Sequence, residues 1–467
     1  MKTEVQNRRL LDREILRLSV PAVITNITVP LLGLCDTVIS GHLGEVRFLG
    51  AIAAGSVMIN SLFWLFGFLR MGSSGLTAQA YGAGSHDRVR GIFWQATLLG
   101  LLIGFTLLAC NKPLCGFLLG VISPSGDVSE LARSYFSIAI AGAPAILATS
   151  AVTGWMIGMQ NTVRPMAVAI SVNVLNILLS LLFTVVLRYG FTGIAWGTCI
   201  ANWVGLALAM VLALRMVPDR KLLCPWRLIW DSKTIKPFFK VNTDIFLRSA
   251  CIMAVTVTVT AVGARLGSLT LATNAVMLQF FHIFSYFMDG IAFTGEALCG
   301  KFLGSGNRAM LRFSVNRLLL WGGGVSFLFF IVYLCLHNVF IGLITSEKEV
   351  VQAAAGYSIW IILIPLASGG AFIYDGVFIG ITATRQMLAA TAIAALVFFA
   401  VLFCNILYPE IIPPLDNNRL WAGFLAYLFF RGAVLATFTL FMRQFKKVNA
   451  ACLLYTSPSP RDLSTSR

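Results

Sequence analysis

The chain has 467 residues, of which 58% are hydrophobic and only 12% are charged, about half the charged share of a typical soluble domain. This composition excludes a soluble globular protein and indicates a membrane protein with several spans. The net charge of +16 does not indicate nucleic-acid binding, because the basic residues are concentrated in short segments between apolar runs.

Twelve apolar runs are long enough to cross a bilayer as helices, which requires about 20 residues each. Their length and continuity exclude the strands of a β-barrel. Because the first sixteen residues are polar, we expect the first run to remain a membrane helix and not a cleaved signal. The predicted spans are residues 16–39, 48–70, 92–111, 131–157, 165–187, 192–215, 240–262, 269–298, 315–336, 351–380, 387–408 and 420–443.

The distribution of Lys and Arg predicts the orientation of these spans. If the N-terminus is cytoplasmic, the inside segments carry 23 basic residues and the outside loops carry six. Positive residues prefer the cytoplasmic side, where they face anionic lipid headgroups. We therefore expect both termini in the cytoplasm and the protein in a bacterial inner membrane.

The second half of the chain repeats the first at an offset of 222 or 223 residues. The repeated residues are Gly44, Gly82, Tyr135, Gly154, Gly158 and Thr162, which recur as Gly267, Gly304, Tyr357, Gly376, Gly380 and Thr384. Six spans separate the copies, so both have the same orientation. This predicts an all-α membrane protein with twelve helices in two six-helix lobes, related by a pseudo-twofold axis along the membrane normal.

The repeat and a long polar break predict five regions. The last of them ends in Ser, Pro, Thr and Arg, and we interpret that end as non-native sequence. The regions are a cytoplasmic N-terminus (1–15), an N-lobe (16–217), a cytoplasmic linker (218–239), a C-lobe (240–445) and a C-terminal tail (446–467).

Charged residues inside the spans are candidates for function, because an ionised carboxylate at the centre of a bilayer costs about 2.5 kcal/mol or more. Asp244 and Arg248 are four residues apart, which predicts a local ion pair. Glu296 and Arg70 fall near predicted cytoplasmic helix ends, from which long side chains can reach water. For Asp289 and Asp375 a structural role and a binding role remain open. The full set is Asp36, Asp244, Asp289, Glu296, Asp375, Arg70, Arg133, Arg248 and Arg431.

Asp36 differs from the other acids because it has no Lys or Arg within one helical turn. Pro21 and Pro30 precede it, and each removes a backbone hydrogen bond and permits a bend. We hypothesise that Asp36 binds and releases a proton. The alternative is a hydrated carboxylate at the outer interface.

Two polar stripes accompany this acid in the same half of the chain. One lies along the fifth span at spacings of 3, 4 and 4, and the other lies along the sixth. Such stripes can also do no more than join helices. Their members are Asn173, Asn176, Ser180 and Thr184, and then Thr198 and Asn202.

The sequence offers no pattern typical of an enzyme or a metal site. The ten Cys contain no CxxC pair, and the four His are scattered. The segment GEALCGKF at 295–302 lacks the Ser or Thr of a phosphate-binding loop and follows a helix. We expect neither a cofactor nor a bound metal.

Three segments resemble the DinF-type branch of the multidrug and toxin extrusion (MATE) transporters. They are NITVPLLGLCDTVISGHLG, LRMGSSGLTAQAYGAG and AVGARLGSLTLATNAV, and the resemblance covers residues 10–445. It implies two six-helix lobes and the export of organic cations or lipophilic drugs in exchange for H⁺ or Na⁺, by a monomer embedded in lipid.

The resemblance also implies roles for individual residues. Asp36 matches the family's first-helix acid, Asn176 its fifth-helix Asn, and Thr198 its sixth-helix Thr. Ser180 stands where many relatives have a second Asp, which favours a single proton over Na⁺. Asp375 matches a tenth-helix acid of other branches, so Na⁺ coupling through C-lobe acids stays open.

Two further alternatives remain at this stage. A flippase for lipid-linked saccharides would need a cationic cleft, with Arg70 or Arg248 facing it. A membrane-embedded enzyme would need a clustered nucleophile or metal site.

Overall fold

Helices form all of the regular structure in the residues that the computed structural model describes, which are 2–41, 46–122, 126–217, 229–230, 232–407, 415–442 and 445. Residues 218–228 of the predicted linker and the tail 446–467 lie outside these ranges. The first half contains α1 (Lys2–Gly41), α2 (Val46–Leu65), α3 (Phe68–Gly82), α4 (His86–Ala109), α5 (Asn111–Ile122), α6 (Gly126–Ala139), α7 (Ala143–Gly158), α8 (Val163–Leu181) and α9 (Thr192–Leu214). The second half contains α10 (Ser232–Arg265), α11 (Ser268–Gly304), α12 (Arg308–Ile344), α13 (Lys348–Gly356), α14 (Ser358–Gly380), α15 (Thr384–Leu407) and α16 (Asn417–Phe441).

The predicted membrane spans are confirmed in number and order. Within the described ranges, eleven helical segments are long and apolar enough to cross a bilayer, and α1 covers the remaining predicted run. Two of the eleven join consecutive helices: Gly50–Gly82 combines α2 with α3, and Gly126–Gly158 combines α6 with α7. The protein is therefore a multi-pass membrane protein.

The second and eighth spans run further than the sequence predicts. The expected end at residue 70 becomes Gly82, and the expected end at residue 298 becomes Gly304. The added residues of α3 are small or polar, and most are buried, because α3 and α11 pack against each other across the two lobes. Burial between lobes, which hydropathy does not report, keeps these segments helical.

Four helices form the centre of the molecule, and they repeat one arrangement. Helix α3 packs on α7 in the first lobe, and α11 packs on α14 in the second. A Cβ atom on Gly154 would lie 2.2 Å from the carbonyl oxygen of Arg70, and one on Gly376 would lie 2.2 Å from that of Ala292. Since both members of these pairs are 222 residues apart, the two lobes make equivalent contacts at equivalent positions, as the repeat predicts.

The lobes meet most tightly where α3 and α11 end, a region called the closed end below (residues 79–82 and 301–304). A Cβ atom on Gly82 would lie 2.0 Å from the carbonyl oxygen of Lys301, and one on Gly304 would lie 2.0 Å from that of Gln79. Beside these contacts, Gln79 Nε2 donates to the carbonyl oxygen of Gly380 at 2.9 Å. The Lys/Arg pattern predicts that this end faces the cytoplasm.

Two residues beside the closed end have left-handed backbone conformations that favour glycine. They are Gln160 (φ 63°) and Thr382 (φ 51°), which follow α7 and α14 and are again 222 residues apart. Gln160 Nε2 donates to the carbonyl oxygen of Ala297 at 2.7 Å, and Thr382 Oγ1 accepts from Gln79 at 2.9 Å. Both side chains therefore connect one lobe to the other.

Helix α1 packs on both α8 and α11, so it contacts both lobes. Asn26 of α1 donates to the carbonyl oxygen of Tyr286 at 3.2 Å. Asn173 of α8 in turn donates to the carbonyl oxygen of Thr28 at 3.2 Å. A displacement of α1 will therefore disturb contacts with each lobe.

The first turns of α1 are also held by the C-lobe. Asp12 accepts hydrogen bonds from Arg317 Nε at 2.9 Å and from Trp321 Nε1 at 3.0 Å, and Glu14 accepts from Lys301 at 2.8 Å. Partial burial would raise the pKa of Asp12, but the bonds from Arg317 and Trp321 outweigh it and keep this pKa below its ordinary value. Asp12 is therefore ionised, and its pair with Arg317 intact, at neutral pH.

Candidate functional site

A cavity of about 700 Å³ lies between the lobes, on the far side of the closed end from the α3–α4 turn. We call it the central cavity. Its aromatic lining comes from Trp64, Phe281, Phe293 and Phe372. Its charged lining comprises Arg70, Arg248 and Arg431 together with Asp289, Glu296 and Asp375. This mixture of aromatic and charged groups is typical of a site for organic ions.

Arg70 and Glu296 form an ion pair across the two lobes. Arg70 Nη1 lies 3.1 Å from Glu296 Oε2, and Nη2 lies 3.3 Å from Oε1. The Glu296 residue is 1% exposed, and the Arg70 guanidinium also stacks 3.9 Å from the ring centre of Phe293. The prediction that these residues reach water separately at helix ends was wrong, because α3 and α11 continue past them and bury them against each other.

A second ionic cluster joins three helices of the C-lobe. Arg248 of α10 and Arg431 of α16 both contact Oδ2 of Asp375 in α14, the latter from 3.4 Å. The predicted local pair of Asp244 with Arg248 was wrong. Asp244 instead accepts a hydrogen bond from Thr384 Oγ1 at 2.7 Å.

Asp289 is the remaining acid of the central cavity. Among the described residues, no Lys, Arg or His nitrogen lies within ion-pair distance of its carboxylate. Asp289 is thus available to a positively charged ligand, whereas Asp375 and Glu296 already face guanidinium groups.

A smaller cavity of about 280 Å³ lies beside α8 and α9 in the N-lobe. Asn173 and Asn202 line it, together with Thr25 of α1. Arg70 and Phe293 line both this cavity and the central one, so the Arg70–Glu296 pair lies between the two spaces.

The predicted polar stripes of α8 and α9 face each other. Asn176 Nδ2 donates to Thr198 Oγ1 at 2.9 Å, and Ser180 Oγ lies 3.4 Å from Asn176 Oδ1. Asn176 and Ser180 are fully buried, whereas Asn202 donates to the carbonyl oxygen of Thr198 within its own helix. Asp36 belongs to α1, which packs on α8, but its side chain lies outside the described part of the structure.

Replacing Thr198 with valine should destabilise the protein by about 1–3 kcal/mol, because the buried amide of Asn176 would lose its acceptor. The unfolding free energy can be measured by SDS titration in mixed micelles. Thr258→Val is a matched control, since Thr258 is exposed and bonds only to Ala254 of its own helix; it should change stability by less than about 0.5 kcal/mol. Equal effects of the two substitutions would contradict the assigned role of Thr198.

Sequence reasoning missed the cluster around Asp375. Arg431 was a visible signal, as an arginine in the middle of the last span, but its partner lies on another helix and no spacing rule connects them. Within the described ranges no group of three His, Cys, Asp or Glu side chains could hold a metal ion.

Comparison with known proteins supplies the family context. The model of the MatE family matches residues 21–182 and 245–404, one segment in each lobe. The chain is 33% identical to DNA damage-inducible protein F of Escherichia coli, over 91% of each chain. It is 23% identical to a probable multidrug resistance protein NorM of Idiomarina loihiensis, over 73% of this chain and 74% of that one.

Solved structures agree with the fold. The chain superimposes with a TM-score of 0.80 on an outward-facing multidrug resistance MATE family transporter of the MOP superfamily. The two chains are 18% identical, and the match covers 94% of this chain and 97% of the other. At this identity the likeness concerns the fold alone.

Proposed function

This chain belongs to the MatE family of multidrug and toxin extrusion transporters, and from that premise we propose that it exports organic cations or lipophilic compounds in exchange for protons. Family membership makes the protein a transporter and not an enzyme. The central cavity carries the proposal: it lies between the lobes, has aromatic walls, and is bounded on one side by the closed end. A cavity bounded on the predicted cytoplasmic side corresponds to an outward-facing state.

Proton coupling is assigned to Asp36 with Asn176, Ser180 and Thr198. The contacts of α1 support this assignment, because it packs on α8, which carries Asn176 and Ser180, and on α11 of the other lobe. A change of charge on Asp36 can therefore alter how both lobes hold α1. One proton moving inward across 100 mV releases about 2.3 kcal/mol.

Sodium coupling through the C-lobe is the first alternative. Asp375 would be its central ligand, but two guanidinium groups contact Asp375 Oδ2 and would repel Na⁺. This arrangement favours the N-lobe acid as the coupling group.

A flippase for lipid-linked saccharides is the second candidate, because Arg70 and Arg248 do line the central cavity. Against it, three carboxylates accompany the three arginines there, so the cavity is not cationic in total. Flipping of a saccharide-diphospholipid by reconstituted protein, without export of any organic cation, would favour this candidate.

We place the transporter in a bacterial inner membrane as a monomer surrounded by lipid, with both termini in the cytoplasm. The Lys/Arg distribution supports the orientation. The bacterial relative from E. coli supports the type of membrane.

Dye efflux from everted membrane vesicles tests the proposal. Under a pH gradient the wild-type protein should expel a cationic dye from the cytoplasmic side, and Asp36→Asn should abolish this activity while a Na⁺ gradient drives nothing. Asp127→Asn is the control, since Asp127 starts α6 outside both cavities. Unchanged proton-driven efflux in Asp36→Asn would remove Asp36 from the mechanism, and sodium-driven efflux would transfer the assignment to Asp375.

A further inference from the structure

Two arginines share a single carboxylate in the C-lobe wall of the central cavity. Arg248 and Arg431 both contact Oδ2 of Asp375, and the exposed fractions of the three residues are 4%, 3% and 8%. Two positive charges thus face one negative charge where water has little access. A buried cation without a counter-charge is costly, so this cluster favours a second anion.

The hydrogen bonds of the cluster are incomplete. The Nε atoms of Arg248 and Arg431 have no acceptor among the described residues, and Asp375 Oδ1 has no donor there. Arg431 is otherwise held only by the hydroxyl of Tyr427, 3.4 Å from Nη1, and by the faces of Tyr427 and Phe372. Both arginines therefore retain donors for a ligand, and a guanidinium binds a carboxylate through paired hydrogen bonds.

The charges of the central cavity are separated in space. Arg70 and Glu296 neutralise each other, which leaves the positive excess at Asp375 and the unpaired Asp289. His282, the other titratable group of the lining, is uncharged when neutral. The cavity thus offers one positive and one negative binding group, with aromatic rings between them.

We propose that the preferred substrates are aromatic zwitterions, whose carboxylate binds Arg248 and Arg431 and whose cationic group binds Asp289. This inference rests on the proposed export function and names its substrate class. It differs from a preference for simple cations, for which two arginines in the wall would be unfavourable.

A matched pair of dyes tests the inference. Rhodamine 110 has a free carboxylate, and rhodamine 123 is its methyl ester with the same cationic ring system. Fluorescence polarisation with the purified full-length protein in nanodiscs gives the Kd of each. We expect rhodamine 110 to bind about tenfold more tightly, as one additional charge-assisted contact can provide.

The variants assign this preference to residues. Arg431→Gln leaves the Arg248–Asp375 pair intact, and it should reduce the preference for rhodamine 110 to less than about twofold. Asp289→Asn should weaken both dyes equally, because both carry the cationic group. Arg265→Gln, at the exposed end of α10, is the control and should change neither Kd. Arg248→Gln provides a second test if Arg431→Gln does not fold.

Three outcomes would overturn the inference: equal or weaker binding of rhodamine 110 by the wild-type protein, binding of neither dye, or equal losses for both dyes in Arg431→Gln. Export itself is measured separately in vesicles. Efflux of rhodamine 123 without any preference for rhodamine 110 would reject the zwitterion site alone. Binding of rhodamine 110 without efflux of either dye would reject the export function alone.

Discussion

Replacing Gly82 with alanine is expected to hold the lobes apart at the closed end and to abolish transport. The new Cβ atom would lie 2.0 Å from the carbonyl oxygen of Lys301 and less than 3 Å from two further backbone atoms of that residue. Backbone cannot move aside as the end of a flexible side chain can, so the lobes must separate or the helices must shift. Overpacking of this kind costs about 1–3 kcal/mol, enough to reverse a balanced conformational equilibrium.

The separation can be measured with spin labels at Ala83 and Ser305, two exposed positions beside the closed end. In a background without other cysteines, Gly82→Ala should lengthen the distance between the labels, and Gly304→Ala should do the same, since its Cβ would meet Gln79 equivalently. Gly324→Ala is the matched control, because no atom lies within 4 Å of its new methyl group. Wild-type distances together with wild-type efflux in Gly82→Ala would show that the closed end does not restrict the transport cycle.

Replacing Glu296 with glutamine should also have a large effect, a loss of about 3 kcal/mol in unfolding free energy together with loss of transport. The substitution keeps the shape but leaves the Arg70 guanidinium without a counter-charge between the lobes, and breaking a buried pair typically costs 3–5 kcal/mol. The lower end of that range applies here, because the Arg70 side chain is 16% exposed and borders both cavities.

The double variant Arg70→Gln/Glu296→Gln separates loss of the pair from loss of one residue. It should be more stable than Glu296→Gln, because no unpaired charge remains, whereas independent sites would give additive losses. SDS titration provides the stabilities, and Asp87→Asn is the control. Asp87 forms an exposed i,i+3 pair with Arg90, and its removal should cost less than about 0.5 kcal/mol.

The helices and their order could be predicted from the sequence because the bilayer sets a strict requirement, about 20 apolar residues for each crossing. The repeat was equally visible, since glycines such as Gly154 and Gly376 must admit a neighbouring backbone in both lobes. The helix ends were less predictable: the segment after Arg70 is polar enough to resemble a loop, and only its burial against the other lobe keeps it helical.

The ionic partners could not be predicted, because sequence separation says little about contact between helices. Arg248 has an acid four residues before it, yet it binds Asp375, and Asp244 turns instead to Thr384. The polar stripes were more informative, since Asn176 and Thr198 lie on consecutive helices joined by a short connection, and such helices pack together. The role of Asp36 stays a prediction.

The left-handed residues Gln160 and Thr382 have a consequence for engineering this transporter. Glycine at either position would relieve about 1 kcal/mol of backbone strain, the gain that stability design usually seeks. The same change would delete a hydrogen bond between the lobes that contributes a similar amount. A screen for heat resistance would therefore score such variants as neutral, although their halves would be uncoupled and substrate could leak through without ion exchange.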